Sequence, residues 1–291
     1  MDISCEAEIA DDLGSELAET FGGGVEFIPG GLRLYFDSLE FGEKRPLLER
    51  ILKPAEVPDR WGRPITWFPT EVADEDWSET WKIHFKPMRV GGRFLITPTW
   101  EEVSPGPRDL VIRIDPGRAF GTGHHETTRL CLEWLERWSE QQGAGPKVLA
   151  RSLLDVGTGS GILSIGAALL GFDNIIGVDN DPEAVEVAGP NVELNRFSEK
   201  IQVLCGSVDD IDGVFDVVIS NIQSLPLIGM SKELISKVRE GGKLVLSGIL
   251  AEQAEDVRTA FEKGGAVLTV MHAAGEWVLL DFEIPKRITN E

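Results

Sequence analysis

Glycines recur at alternate positions in Leu154-Asp155-Val156-Gly157-Thr158-Gly159-Ser160-Gly161. A strand ending in such a run turns tightly and brings its backbone against a ligand at the next helix N-terminus. A dinucleotide fingerprint needs GxGxxG. Here the spacing is GxGxG, and Ile162 stands where the last glycine should fall, which disfavours NAD. A purely structural turn is the alternative. Asp179, 22 residues after Gly157, ends the apolar run Ile176-Gly177-Val178. An acid there accepts hydrogen bonds from both ribose hydroxyls of an adenosine-containing cofactor. By itself it does not separate NAD from S-adenosylmethionine, and it could instead cap the helix after Asp181. Loop and acid together favour S-adenosylmethionine. A third polar residue, Asn221, closes Phe215-Asp216-Val217-Val218-Ile219-Ser220. Strands of open α/β sheets present ligand-binding groups at their C-terminal ends. Asn221 can accept from an amine through its amide oxygen and donate through its NH₂. An ordinary strand-end turn is the bland reading.

A fourth segment, residues 115–128, carries a proline and three glycines before a helix whose apolar face is Leu130, Trp134, Leu135 and Trp138. His124, His125 and Glu126 invite a metal reading. Neighbouring helical residues point about 100° apart, and no HExxH spacing exists, so no metal site is expected.

These residues need a scaffold. From about residue 148 strands and helices alternate. Strands are expected at 152–156, 174–178, 201–204, 215–220 and 243–246, with helices at 160–170, 182–195, 227–239 and 252–263. Gly189-Pro190 should kink or break the second helix. Two strands, 266–271 and 277–282, follow without an intervening helix. The pattern predicts an α/β fold with a doubly wound, mostly parallel Rossmann-like sheet of seven strands closed by an antiparallel edge hairpin. Residues 1–53 read as a small α+β unit of ferredoxin-like βαββα order, with a strand at 3–9, a helix at 12–20, a hairpin of 25–28 with 32–36, and a helix at 46–51. Pro54, Pro58, Pro64 and Pro69 mark 54–73 as a stiff connector, leaving 74–291 as the second domain. Five of the eight tryptophans lie between Trp61 and Trp100, as a packed core or an aromatic substrate platform.

The net charge is −21, from 28 basic and 49 acidic residues. Such a chain repels phosphate backbones, so direct nucleic-acid binding is not expected and a basic protein is the natural partner. Residues 1–40 hold ten acids and one base, Arg33. Cys5, Cys131 and Cys205 are far apart with no CxxC, which fits a reducing cytoplasm. The acidic N-terminus is no signal peptide, and no apolar stretch is long enough to span a membrane.

From about residue 74 the chain resembles the bacterial methyltransferases of ribosomal large-subunit protein eleven, the PrmA family. The resemblance rests on Asp76-Trp77 with Trp81, Phe85-Lys86-Pro87-Met88-Arg89, Pro98-Thr99-Trp100 and Asp115-Pro116-Gly117. It continues through Ala119-Phe120-Gly121-Thr122-Gly123 with His125 and Thr127-Thr128, the glycine loop, Asn221-Ile222, and Ser247-Gly248-Ile249-Leu250 before Gln253. It implies a cytoplasmic enzyme that methylates α- and ε-amino groups of the ribosomal protein and uses its N-terminal domain for substrate recognition. It implies Thr128, Gly157, Asp179 and Asn221 as cofactor contacts, with Asp155 and Gly159 in the same loop and Phe120 packed against the cofactor. Asn221 also sits where the acceptor amine arrives, the one position with a catalytic assignment. Three features depart from the family pattern. His124-His125-Glu126 stands for Thr-His-Pro, Gln223-Ser224 for Leu-Ala, and Gly189-Pro190 interrupts a helix that is usually continuous. Methylation of another protein or a small molecule, or a non-catalytic assembly role, are the competing readings. Glutamine-modifying enzymes usually carry Asn-Pro-Pro-Tyr, and Ile222 stands where the first proline would be.

Overall fold

The computed structural model describes residues 2–5, 10, 13–14, 17, 20–21, 25–28, 30–34, 36, 38–52, 65–69, 85–115, 123, 125–141 and 151–286. These fall into two compact units, residues 1–80 and 81–291.

In the first unit β1 (Asp2–Ser4), β2 (Val25–Ile28), β3 (Gly31–Leu34) and β4 (Thr66–Phe68) form one sheet of order β2-β3-β1-β4, with α1 (Ser38–Leu52) between β3 and β4. Every neighbouring pair is antiparallel, the order of a ferredoxin-like sheet. Ala10, Leu13, Leu17 and Phe21 recur at helical spacing and are buried with Leu32, Leu34, Leu48 and Leu52. Two expectations are corrected. The connector expected at 54–73 contains β4, a strand of this sheet, because Thr66-Trp67-Phe68 is β-branched and aromatic and pairs with β1. The second helix begins at Ser38, not Pro46, and burial of Leu48 and Leu52 carries it through that proline.

The second unit opens with β5 (Met88–Val90), β6 (Phe94–Pro98) and β7 (Leu110–Ile114), a small sheet absent from the sequence reading. Then come α2 (Glu126–Gln141), β8 (Arg151–Val156), α3 (Ile162–Leu169), β9 (Phe172–Asp179), α4 (Pro182–Leu194), β10 (Ile201–Cys205) and β11 (Phe215–Asn221). Two short helices follow, α5 (Ser224–Gly229) and α6 (Ser231–Ser236), and then β12 (Val238–Leu250), α7 (Ala254–Lys263), β13 (Val267–Ala274) and β14 (Trp277–Glu283). The seven-stranded sheet has the order β10-β9-β8-β11-β12-β14-β13. The first five strands are mutually parallel, and β14 runs antiparallel to β12 and to β13. The doubly wound sheet with its edge hairpin is thus the one expected.

Alternation of side chains builds two cores, one on each face of the sheet. Leu153, Val217, Val245 and Leu279 face α2, α3 and the small sheet. Their chain neighbours Leu154, Val218, Leu244 and Leu280 face α5, α6 and α7.

Pro190 does not break its helix: α4 runs unbroken to Leu194. The ring lies on the exposed side, where water serves the carbonyl it leaves free. The last turn is fastened from outside. Asn191 Oδ1 accepts from the Asp115 amide at 2.9 Å, and its NH₂ donates to the Asp115 and Ser160 carbonyls. Asn195 exchanges the same pair of bonds with Arg113. The helix expected over 227–239 is also corrected. It divides into α5 and α6 at Met230 (φ −99°, ψ 16°), just after Gly229, a poor helix former, and residues 238 and 239 already belong to β12.

Candidate active site

The parallel strands β8, β9 and β11 end together, as parallel strands in one sheet must, and a cavity of about 730 Å³ opens at that edge. This is an ordinary size for a cofactor or small-ligand site. Thr128, Gly157, Gly159, Asp179 and Asn221 all line it. Of the other residues singled out for the site, Asp155 stands behind the wall, and Phe120 lies outside the described residues.

The glycine loop makes the floor. Gly157, Gly159 and Gly161 all have positive φ, at 76°, 54° and 81°, which side-chain-bearing residues rarely adopt. A Cβ on Gly157 would fall 2.5 Å from Ile222 Cγ2. The loop is held by backbone bonds from Gly157 and Thr158 to the Val178 carbonyl. Beneath it Asp155 Oδ2 accepts from the Thr158 and Ser164 hydroxyls, each at 2.8 Å. Asp155 is fully buried, so its part is to brace the loop from below.

Burial pushes the Asp155 carboxyl up to about 6, against the pull of the Ser164 and Thr158 hydrogen bonds, and the Asp179 charge adds to the rise. A carboxyl whose folded pKa exceeds its unfolded value contributes stability that is full below about pH 4 and is lost as pH rises through about 6. The full swing is on the order of 3 kcal/mol. Asp155→Asn cannot ionise. Its stability relative to the parent is therefore expected to rise between about pH 4 and pH 7. Urea unfolding of both proteins across that range checks this, and a flat difference excludes it.

Asp179 sits at the tip of β9. Its Oδ2 accepts from the Gly159 amide at 2.9 Å and its Oδ1 from the Asp181 amide at 3.1 Å. Each oxygen retains a second lone pair for a hydroxyl. The helix-cap alternative falls to Asp181, whose side chain accepts from the Glu183 amide.

Asn221 ends β11. Its NH₂ donates to Thr128 Oγ1 at 3.3 Å. Its Oδ1 is buried and has no hydrogen-bond partner among the described residues. A buried acceptor left empty costs about 1–3 kcal/mol, and here it lies in a residue that lines the cavity. A donor brought by a ligand removes that cost.

Three features of the wall escaped the sequence reading. Trp277 opens β14 and meets the His125 ring edge-on, centroids 4.9 Å apart. Because β14 is antiparallel, its first residue reaches the edge where the parallel strands finish. Met230, at the break between α5 and α6, also lines the cavity. Gly248 (φ 81°) forms a bulge in β12, where pairing with β14 shifts between Leu246 and Ile249, and it packs directly on the Ile222 backbone. A lone glycine in an apolar strand was the available signal. His125 Nδ1 meets the Thr127 hydroxyl at 2.8 Å and also accepts from the Thr127 amide, so this nitrogen structures the entry to α2.

A floor of glycines with positive φ, a strand-end acid with free lone pairs and an orphaned amide oxygen fit S-adenosylmethionine, with its ribose diol and its amino group. No helix among the described residues is long and apolar enough to cross a membrane.

Comparison with known proteins agrees. The model of the family described as ribosomal protein L11 methyltransferase (PrmA) matches residues 50–284. Ribosomal protein L11 methyltransferase of Pelobacter propionicus is 40% identical, with 96% of each chain covered. Its namesake from Geobacter sp. (strain M21) is 41% identical, with 98% of each covered. The crystal structure of ribosomal protein L11 methylase from Lactobacillus delbrueckii subsp. bulgaricus superposes with a TM-score of 0.62 at 30% identity, over 69% of this chain and 100% of that one. By the family model and by near-full-length identity alike, this chain belongs to the PrmA family of S-adenosylmethionine-dependent ribosomal protein L11 methyltransferases.

Proposed function

We propose that this protein transfers methyl groups from S-adenosylmethionine to amino groups of large-subunit ribosomal protein L11. Thr128, Gly157, Gly159, Asp179 and Asn221 hold the donor, and Asn221 also receives the acceptor. The observation that carries the reading is the unpartnered Asn221 Oδ1 at the C-terminal end of β11.

When bound, S-adenosylmethionine would supply a sulfonium-activated methyl group: as the amine nitrogen bonds to the methyl carbon in line, the methyl–sulfur bond would break, the sulfur would leave as a neutral thioether, and the methylated ammonium would lose its proton to solvent. The chain's own residues need only align the amine and exclude water, effects worth about 7–11 kcal/mol when geometry is good. Asn221 Oδ1 accepts an N–H from the amine and so aims its lone pair. The acceptor must be neutral. An α-amine near pKa 8 is partly so in neutral solution, whereas a lysine near 10.4 is not. The apolar part of the wall, including Ile222, Met230 and Trp277, disfavours the ammonium form and lowers that pKa.

We assign recognition of the basic substrate to the N-terminal unit, on the ten acids against one base in residues 1–40. Substrate KM is therefore expected to rise several-fold between about 50 and 300 mM salt while kcat holds, because charge steering is screened over about 10 Å or less. Steady-state assays at the two salt levels check this, and a constant KM counts against the assignment.

The deciding experiment is the intact mass of purified L11 after incubation with this protein and S-adenosylmethionine. Gains in steps of one methyl group establish the substrate. No gain, with the cofactor bound, moves the reading to another basic protein.

A further inference from the structure

The segment after Asn221 is pinned at three places. Asn221 bonds Thr128. Ile222 lies against Gly157 on one side and Gly248 on the other, with no room for a Cβ on either. The third pin is Ser224, which is buried, and whose Oγ donates to Gln253 Oε1 at 2.6 Å.

That third bond is not local helix bookkeeping. A serine at the start of a helix ordinarily caps it. Here the cap position of α5 is Gln223, which makes no side-chain cap bond, while the Ser224 hydroxyl reaches 29 residues along the chain to Gln253. Gln253 closes the 3₁₀ turn Ala251–Gln253 that follows β12. The same turn is tied at its other end, where the Ala251 amide donates to the Glu276 carbonyl at 2.8 Å. Glu276 is the residue before Trp277. A continuous path therefore runs from Asn221 through Ser224, Gln253, Ala251 and Glu276 to Trp277. Asn221 and Trp277 both line the cavity and are also joined through β12, where Asn221 pairs with Ser247 and Trp277 with Leu250; the Ser224–Gln253 bond adds a side-chain link beyond that ladder.

We infer that Ser224 and Gln253 are a positioning pair that sets the placement of Asn221 relative to Trp277 at the acceptor end of the cavity. Neither residue is the acceptor's ligand. They act by holding the strap that carries Asn221, and the inference rests on the methyltransferase reading above.

The test uses the full chain with Ser224→Ala, Gln253→Met, the double variant and Gln253→Glu, which keeps an acceptor for the hydroxyl. Each single loss is expected to lower kcat on L11 about tenfold, less than the roughly hundredfold that a 1 Å misplacement costs. Affinity for S-adenosylmethionine should stay within about twofold, the double variant should be no worse than either single, and Gln253→Glu should restore most of the rate. Unchanged kcat in the single variants, or losses that multiply in the double variant, overturns the pairing. Equal losses of cofactor affinity and kcat reduce it to general stability. If the parent itself leaves L11 unmodified, the substrate reading fails and hydrogen exchange decides the pairing alone. Faster exchange at the 222–224 and 276–277 amides in both single variants supports it, and unchanged exchange there overturns it.

Discussion

Asn221→Ala is expected to lower kcat by about 10²–10³, the loss seen when one preorganised hydrogen-bonding group is removed from a reacting centre. That corresponds to roughly 3–4 kcal/mol of transition-state stabilisation. The fold should survive. Asn221 is half-buried at a strand end, and the only described hydrogen bond of its side chain is a long one to Thr128. Cofactor affinity should fall far less than kcat, because the glycine loop and Asp179 remain. Asn221→Asp sharpens the test. It keeps an acceptor but adds a charge that favours the ammonium form of the amine, raising its pKa by about 1–3 units. The alanine variant is therefore expected to be slow at every pH, and the aspartate variant to regain rate as pH rises. Single-turnover rates between about pH 7 and pH 10 distinguish the two. An alanine variant with full turnover at saturating substrate removes Asn221 from the mechanism.

Gly248→Ala is expected to be strongly damaging for so small a substitution. The residue has φ 81°, where a non-glycine residue costs about 1–3 kcal/mol. Its new Cβ would also lie 2.8 Å from the Ile222 carbonyl carbon and closer still to the oxygen. These are backbone atoms, so relief requires moving the strap itself. Strain and clash together come to roughly 3 kcal/mol, a fall in melting temperature of about 6–12 °C for a unit of this size. Turnover should fall with it, since Ile222 adjoins Asn221. Gly265→Ala is the control. It has φ 97° with nothing within 4 Å, so it pays strain without a clash. A Gly248→Ala protein as stable as Gly265→Ala and fully active means the bulge is not holding the strap.

The parts of the site that were legible in the sequence are those whose chemistry is written in adjacent residues. The glycine loop, Asp179 and Asn221 each follow an apolar run. Ending a buried strand on a polar or glycine residue is a local signal that survives folding intact. Asp155 was legible as part of the loop but not in its place, because neighbours in a strand point to opposite faces and only the structure shows which face meets the ligand. Trp277 and Met230 were illegible, and Gly248 was marked only as a lone glycine in an apolar strand, for another reason. They reach the cavity through a strand reversal, a helix break and a bulge, none of which has a periodicity. The unbroken α4 makes the same point. Pro190 is a local veto, and it is overruled by Asn191 and Asn195 bonding to residues about 80 positions earlier in the chain. The segment corresponding to Phe120 lies outside the described residues, and its expected packing on the cofactor remains a proposal.

The antiparallel placement of β14 has a consequence in time as well as in space. A chain is made from its N-terminus, and the glycine loop, Asp179 and Asn221 are all synthesised before Trp277. Until the last hairpin has emerged and inserted beside β12, the cavity has a floor and a rear wall but lacks one side. Adding β14 therefore does two things in one step: it joins β13 to the rest of the sheet and it supplies the Trp277 side of the cavity. Chains that stop before residue 277 lack the Trp277 side of the cavity.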